Sequence, residues 1–182
     1  MAVKKGEMDN ALSLHKKALE MQIKLRDAQG AARSYNNMGY IFRRQRDNKR
    51  AIEVYGNVEE LLESEDSPDL TEARIRLASA FLEMGEMDRA RDHAMKAHDE
   101  TAENNQEKLH ARSRAVLGRY YARIKDNDLA MHHYTGALEI LSDQSDPRSA
   151  VEVEILLGQV LSDAGSTEEA AQHYLDALSI AE

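Results

Sequence analysis

The sequence repeats itself at an interval of about forty residues, and a chain of that kind folds by stacking units that cannot each bury an apolar face alone. The segments GEMDNALSLHKKAL from Gly6, RDNKRAIEVYGNVE from Arg46, GEMDRARDHAMKAH from Gly85, KDNDLAMHHYTGAL from Lys125 and GSTEEAAQHYLDAL from Gly165 align without gaps. In that register Ala11, Ala51, Ala90, Ala130 and Ala170 coincide, at spacings of 40, 39, 40 and 40 residues. Seven positions on, Ala18, Val58, Ala97, Ala137 and Ala177 coincide too, two helical turns along the same face. Upstream, Gly39, Ala78, Gly118 and Gly158 each precede their alanine by twelve residues.

Each unit reads as two antiparallel helices. Met38/Ile41/Phe42, Leu77/Ala80/Phe81, Leu117/Tyr120/Tyr121 and Leu157/Val160/Leu161 recur with the spacing of a helical stripe, as do Ala130/Tyr134/Ala137/Leu138/Leu141 in the second helix. Only 2 prolines and 9 glycines occur in 182 residues, too few turn residues for a sandwich or barrel. Ser67-Pro68 and Asp146-Pro147 place an N-cap residue before a proline at the first helical position. The expected fold is therefore all-α: a single array, 1–182, of about four and a half repeats and nine helices, with units near 1–28, 29–66, 67–105, 106–145 and 146–182. Glycine inside a helix costs about 1 kcal/mol relative to alanine. Gly39, Gly118 and Gly158 are therefore expected to allow close helix crossing, opposite Ala51, Ala130 and Ala170.

This pattern resembles the tetratricopeptide repeat in a forty-residue variant, over essentially the whole chain. The residues that carry the resemblance are Met38-Gly39, Leu117-Gly118 and Leu157-Gly158, the Phe42, Phe81, Tyr121 and Leu161 that follow, the alanine opening each second helix, and Tyr55, Tyr134 and Tyr174 four residues after it. The chain departs from the family where a large aromatic is expected early in the first helix: Tyr35 is followed by Arg74, Arg114 and Glu154. The third repeat has Ala94 in place of the second-helix aromatic.

The resemblance implies an α-solenoid wound as a right-handed superhelix, with first helices lining a concave groove that holds a peptide or a partner helix. It implies groove positions at Arg33, Asn36, Asn37, Tyr40, Arg43 and Arg44; at Glu72, Ile75, Arg76, Ser79, Leu82 and Glu83; at Arg112, Ala115, Val116, Arg119, Ala122 and Arg123; and at Glu152, Ile155, Leu156, Gln159, Ser162 and Asp163. Seven arginines against four acids give these positions a charge of +3 in a chain of net charge −9. Arginine's planar fork suits carboxylates. The expected ligand is an acidic peptide or acidic helix face, and the expected binding residues are Arg33, Asn37, Tyr40, Arg44, Arg76, Arg112, Arg119 and Arg123.

Other chemistry is harder to place. With no cysteine, thiolate metal sites, disulfides and cysteine nucleophiles are excluded. His93, His133 and His173 share one repeat position, but neighbouring repeats are a helix-packing distance of about 8–10 Å apart. Zinc ligands must instead lie about 2 Å from a single ion. The ladder is thus expected to pack beside the repeated aromatic, and no catalytic residue, cofactor or metal is expected. A net charge of −9 disfavours nucleic acid, although RRQRDNKR at 43–50 keeps an RNA-binding array as a weaker alternative. Residues 143–182 carry nine acids against Arg148 alone. No span resembles a membrane helix or a signal peptide, so a soluble cytoplasmic protein is expected. The apolar faces of the first and last helices make a homodimer through uncovered ends, or a segment of a larger regulatory protein, further alternatives.

Overall fold

In the computed structural model of the chain, residues 2–63, 67–104, 106–144 and 146–181 are described. Among them are nine helices and no strand, the helical-repeat fold of the α-solenoid class that the period predicts. The chain divides into two compact units, 1–86 and 87–182. The first holds α1 (Ala2–Leu25), α2 (Ala28–Arg44), α3 (Asn48–Leu62) and α4 (Pro68–Met84). The second holds α5 (Met87–Glu103), α6 (Glu107–Arg123), α7 (Asn127–Gln144), α8 (Pro147–Asp163) and α9 (Thr167–Ala181). Within each unit every helix packs on its neighbour in sequence, and the first helices also touch, α2 with α4 and α6 with α8. The division falls inside the third repeat, the one in which Ala78 and Ala94 replace glycine and tyrosine.

The glycines are explained by a different contact from the expected one. A Cβ on Gly118 would sit 2.6 Å from Cε1 of Tyr134, and one on Gly158 would sit 2.8 Å from the same atom of Tyr174. The ring of Tyr55 likewise overlaps the space above Gly39. The missing side chain thus makes room for a flat aromatic ring from the second helix, not for the alanine four residues earlier. Tyr55 and Tyr134 are fully buried as a result, and Ala51 and Ala130 lie beside them in the core.

One turn closes each first helix. Arg46, Gly85, Lys125 and Gly165 have positive φ at the ends of α2, α4, α6 and α8, and Arg26 has the same at the end of α1, all between 57° and 90°. At Lys125 the backbone N–H donates to the Ala122 carbonyl at 3.2 Å, and the Asp126 N–H donates to the Tyr121 carbonyl at 3.0 Å. This is the left-handed helix stop that glycine accepts at no steric cost. Aspartates then start the next helices: Asp27, Asp47, Asp126 and Asp146 accept the N–H groups of Gly30, Arg50, Leu129 and Ser149 at 2.9–3.2 Å. Ser67 does not cap α4 as expected. Its hydroxyl donates to Oε1 of Gln29 at 3.2 Å, and Pro68 alone marks the helix start.

Because a side chain at positive φ is disfavoured by about 1–2 kcal/mol, Lys125→Gly should stabilise the second unit. Part of that gain goes to the greater freedom of glycine in the unfolded chain, leaving about 0.5–1 kcal/mol. Urea denaturation followed by circular dichroism should show a raised midpoint, and Gly165→Ala a lowered one.

Candidate functional site

On α2, Arg33, Asn37, Tyr40 and Arg44 stand at i, i+4, i+7 and i+11, so helical geometry lines them up in one stripe, and all four are exposed. Tyr40 is 49% exposed, high for an aromatic. The guanidinium of Arg76, on α4, lies 5.3 Å from its ring centroid, a cation–π contact, and is ion-paired with Glu72 on its own helix. Arg43 pairs with Glu83, a second link between α2 and α4. Arg76 therefore braces the stripe, while Arg33, Asn37, Tyr40 and Arg44 present it.

Several positions implied by the resemblance do not face outward. Asn36 is buried and donates from Nδ2 to the Asp69 carbonyl at 2.8 Å. Ile75, Ser79, Leu82 and Val116 are also buried, with the Ser79 hydroxyl donating to the carbonyl of Ile75 at 3.0 Å. The α4 contribution to the face thus narrows to Glu72, Arg76 and Glu83.

In the second unit the stripe recurs on α6, seventy-nine residues on, as Arg112, Val116, Arg119 and Arg123. Arg123 is exposed, and Arg112 and Arg119 are half-buried. Beside it α8 exposes Glu152, Ile155, Gln159, Ser162 and Asp163, the last lying 3.7 Å from Lys125 Nζ. The basic run at 43–50 is engaged in local structure in part, with Arg44, Arg46 and Lys49 exposed. Arg43 is ion-paired, Arg46 forms a turn, and Arg50 bonds Asp47 at 2.6 Å and lies over the Phe42 ring at 4.7 Å.

The histidines behave in two ways. His98 on α5, His110 on α6 and His133 on α7 gather in one half-buried cluster. The rings of His98 and His110 stack at 4.7 Å, His133 meets His98 edge-on at 5.9 Å, and His133 stacks on Tyr121 at 5.3 Å. Burial lowers all three pKa values, with nearby Arg114 acting in the same direction, and His133 falls to about 4. The packing expected for His133 is thus found, with three helices contributing in place of one repeated position.

His173 differs from that expectation. Its Nδ1 lies 2.6 Å from Oε2 of Glu154 on α8, one of the charged residues standing where the family has an aromatic. Arg74 and Arg114 occupy the same position in their repeats and also reach polar partners, Glu59 at 3.1 Å and the His132 carbonyl at 3.3 Å. Glu154, His173 and Asp176 bring their ligand atoms within 4.8 Å of one another, the one such set of three among the described residues. Among those residues, no helix is long and apolar enough to cross a membrane.

Residues 1–64 match the family model for the tetratricopeptide repeat. No curated protein matches the chain. Among solved structures, BtubC (BKLC) from P. vanneervenii is similar at 24% identity and a TM-score of 0.82, over 97% of this chain and 74% of that one. The TPR-like repeats of a putative kinesin light chain from Podosopora anserina are similar at 16% identity and a TM-score of 0.73, over 97% and 88%. A Rap protein complexed with competence and sporulation factor is similar at 11% identity and a TM-score of 0.79, and this chain spans about half its length, 98% of this chain covering 51% of that one.

Proposed function

We propose that the chain is a tetratricopeptide-repeat array serving as a scaffold for protein interaction, and that its first-helix faces bind an acidic peptide or acidic helix. One observation carries this reading: the exposed stripe Arg33, Asn37, Tyr40 and Arg44, with its aromatic braced by Arg76. Two arginines about three helical turns apart can each take a carboxylate, Asn37 offers both an amide donor and an acceptor, and Tyr40 offers an apolar ring with a polar tip. Arg112, Arg119 and Arg123 repeat the cationic part on α6. A partner-bound state of the same fold exists in the Rap protein solved with competence and sporulation factor.

A fluorescein-labelled peptide rich in glutamate should bind the chain, with affinity falling as salt rises because exposed charges are screened. Arg33→Glu with Arg44→Glu, or Arg119→Glu with Arg123→Glu, should weaken binding at least about tenfold, equivalent to 1.4 kcal/mol, with the helical signal unchanged. Equal polarisation for wild-type and both reversed forms would remove the reading.

The exposed apolar side chains of α9 (Tyr174, Leu175, Leu178 and Ile180), and those of α1 (Leu14, Met21, Ile23 and Leu25), favour self-association as a second reading. Light scattering against concentration separates it from a monomeric peptide binder. Salt should strengthen a dimer formed through the acidic α9 end, the opposite of its effect on the peptide.

A further inference from the structure

We propose that Glu154, His173 and Asp176 form a site for a borderline divalent transition-metal ion, Zn²⁺ being the best match, which fastens α9 to α8. His173 and Asp176 are three residues apart on α9 and therefore share a face, and Glu154 meets them from α8. An i, i+3 pair on one helix answered by a carboxylate from the facing helix is an established way to build a metal site between packed helices. One imidazole nitrogen and two carboxylates are ordinary zinc ligands, with water left to complete a tetrahedron.

The arrangement is partly preformed. Asp176 is held through Oδ1, which accepts from Nε2 of Gln172 at 2.9 Å. The side chains of Glu154 and His173 are only 12% and 28% exposed, so the group is sheltered yet open to an ion from solution. Bonds of about 2.0–2.2 Å in a tetrahedron put ligand atoms about 3.3 Å apart. The 2.6 Å contact between Glu154 and His173 must therefore open slightly, and Asp176 must close in. Both shifts are under about 2 Å, because all the ligand atoms already lie within 4.8 Å of one another. The surrounding sequence, nine acids against one arginine over residues 143–182, raises the local concentration of cations.

The location gives the ion a purpose. Tyr174 is 41% exposed, whereas its counterparts Tyr55 and Tyr134 are fully buried, so of the three second helices that carry this tyrosine α9 is the least held by it. An ion bridging α8 and α9 would supply the missing restraint and would stabilise the hairpin in proportion to its occupancy.

The test uses the full chain without an affinity tag, freed of metal by chelator and titrated with ZnCl₂ by calorimetry, with Co²⁺ absorption reporting coordination geometry. The expected result is saturable 1:1 binding, a tetrahedral or five-coordinate Co²⁺ spectrum, and a rise in thermal midpoint reversed by EDTA. His173→Gln and Asp176→Asn should each weaken binding at least about tenfold while keeping the helical content. His133→Gln, in the separate histidine cluster, should leave binding unchanged. The proposal is overturned by no saturable binding up to about 1 mM Zn²⁺. It is equally overturned by binding that survives His173→Gln with Asp176→Asn, or that is lost with His133→Gln.

Discussion

Replacing Tyr134 by alanine is expected to destabilise the second unit by about 3–5 kcal/mol, the usual cost of emptying a buried aromatic position. The ring is 1% exposed and closes over Gly118. That contact also predicts the sign of a second substitution. Gly118→Ala in the native protein places a methyl group 2.6 Å from the ring and should cost about 1–3 kcal/mol, despite the better helix propensity of alanine. In a Tyr134→Leu background the ring is gone, and the same Gly118→Ala should be neutral or stabilising by up to about 1 kcal/mol. Urea titrations of the four proteins close a double-mutant cycle. A cost of Gly118→Ala that is the same in both backgrounds would mean that the glycine serves something other than the tyrosine.

Acid should loosen the second unit well before its carboxylates titrate. His98, His110 and His133 have folded-state pKa values below their ordinary 6.5, chiefly through burial, so the unfolded chain binds more protons as pH falls. Their contribution to stability is complete above about pH 6.5 and is lost as pH falls toward about 4, the value for His133. The cluster holds no facing acid strong enough to reverse this. Asp99 on α5 favours the charged form of His98, but His110 and Arg114 on α6 and His132 on α7 oppose it. Nδ1 of His98 and of His133 is buried without a hydrogen-bond acceptor, so a second ring proton would have no partner. The His133 shift alone, discounted for partial solvent access, is worth on the order of 2 kcal/mol between pH 7 and pH 4.5. His133→Phe keeps the stacking on Tyr121 and removes the proton site. Its loss of stability over that range should be smaller than that of the wild type by this amount, and parallel profiles would remove the cluster as the cause.

What was legible in the sequence was whatever depends on helical register. The period locates the helices, the paired Asp146-Pro147 marks a helix start, and the family resemblance groups Arg33, Asn37, Tyr40 and Arg44 among the groove positions. Register gives the direction in which a side chain leaves its helix, but not what waits there. Asn36, Ile75, Ser79, Leu82 and Val116 share the outward register yet are covered or turned to the backbone, and the space above Gly118 is filled by the ring of Tyr134 in place of the expected Ala130. The histidine cluster was illegible because His98 and His110 lie outside the repeated position and meet His133 only through packing. Glu154 does carry a signal in the sequence: a charged residue at an aromatic position needs a polar partner, and His173 with Asp176 three residues later supplies one.

The tyrosine-on-glycine contact has a consequence for the order in which structure forms. Gly39 and Tyr55, Gly118 and Tyr134, and Gly158 and Tyr174 are each sixteen residues apart. Closing so short a loop takes well under a microsecond, and chains rich in such near-neighbour contacts cross the folding barrier quickly. The hairpins α2–α3 and α6–α7 carry buried tyrosines and should be the nuclei from which each unit grows, with α9 joining late. In a stopped-flow series, substitutions at Tyr55 and Tyr134 should therefore slow refolding, whereas those at Tyr174 should mainly speed unfolding.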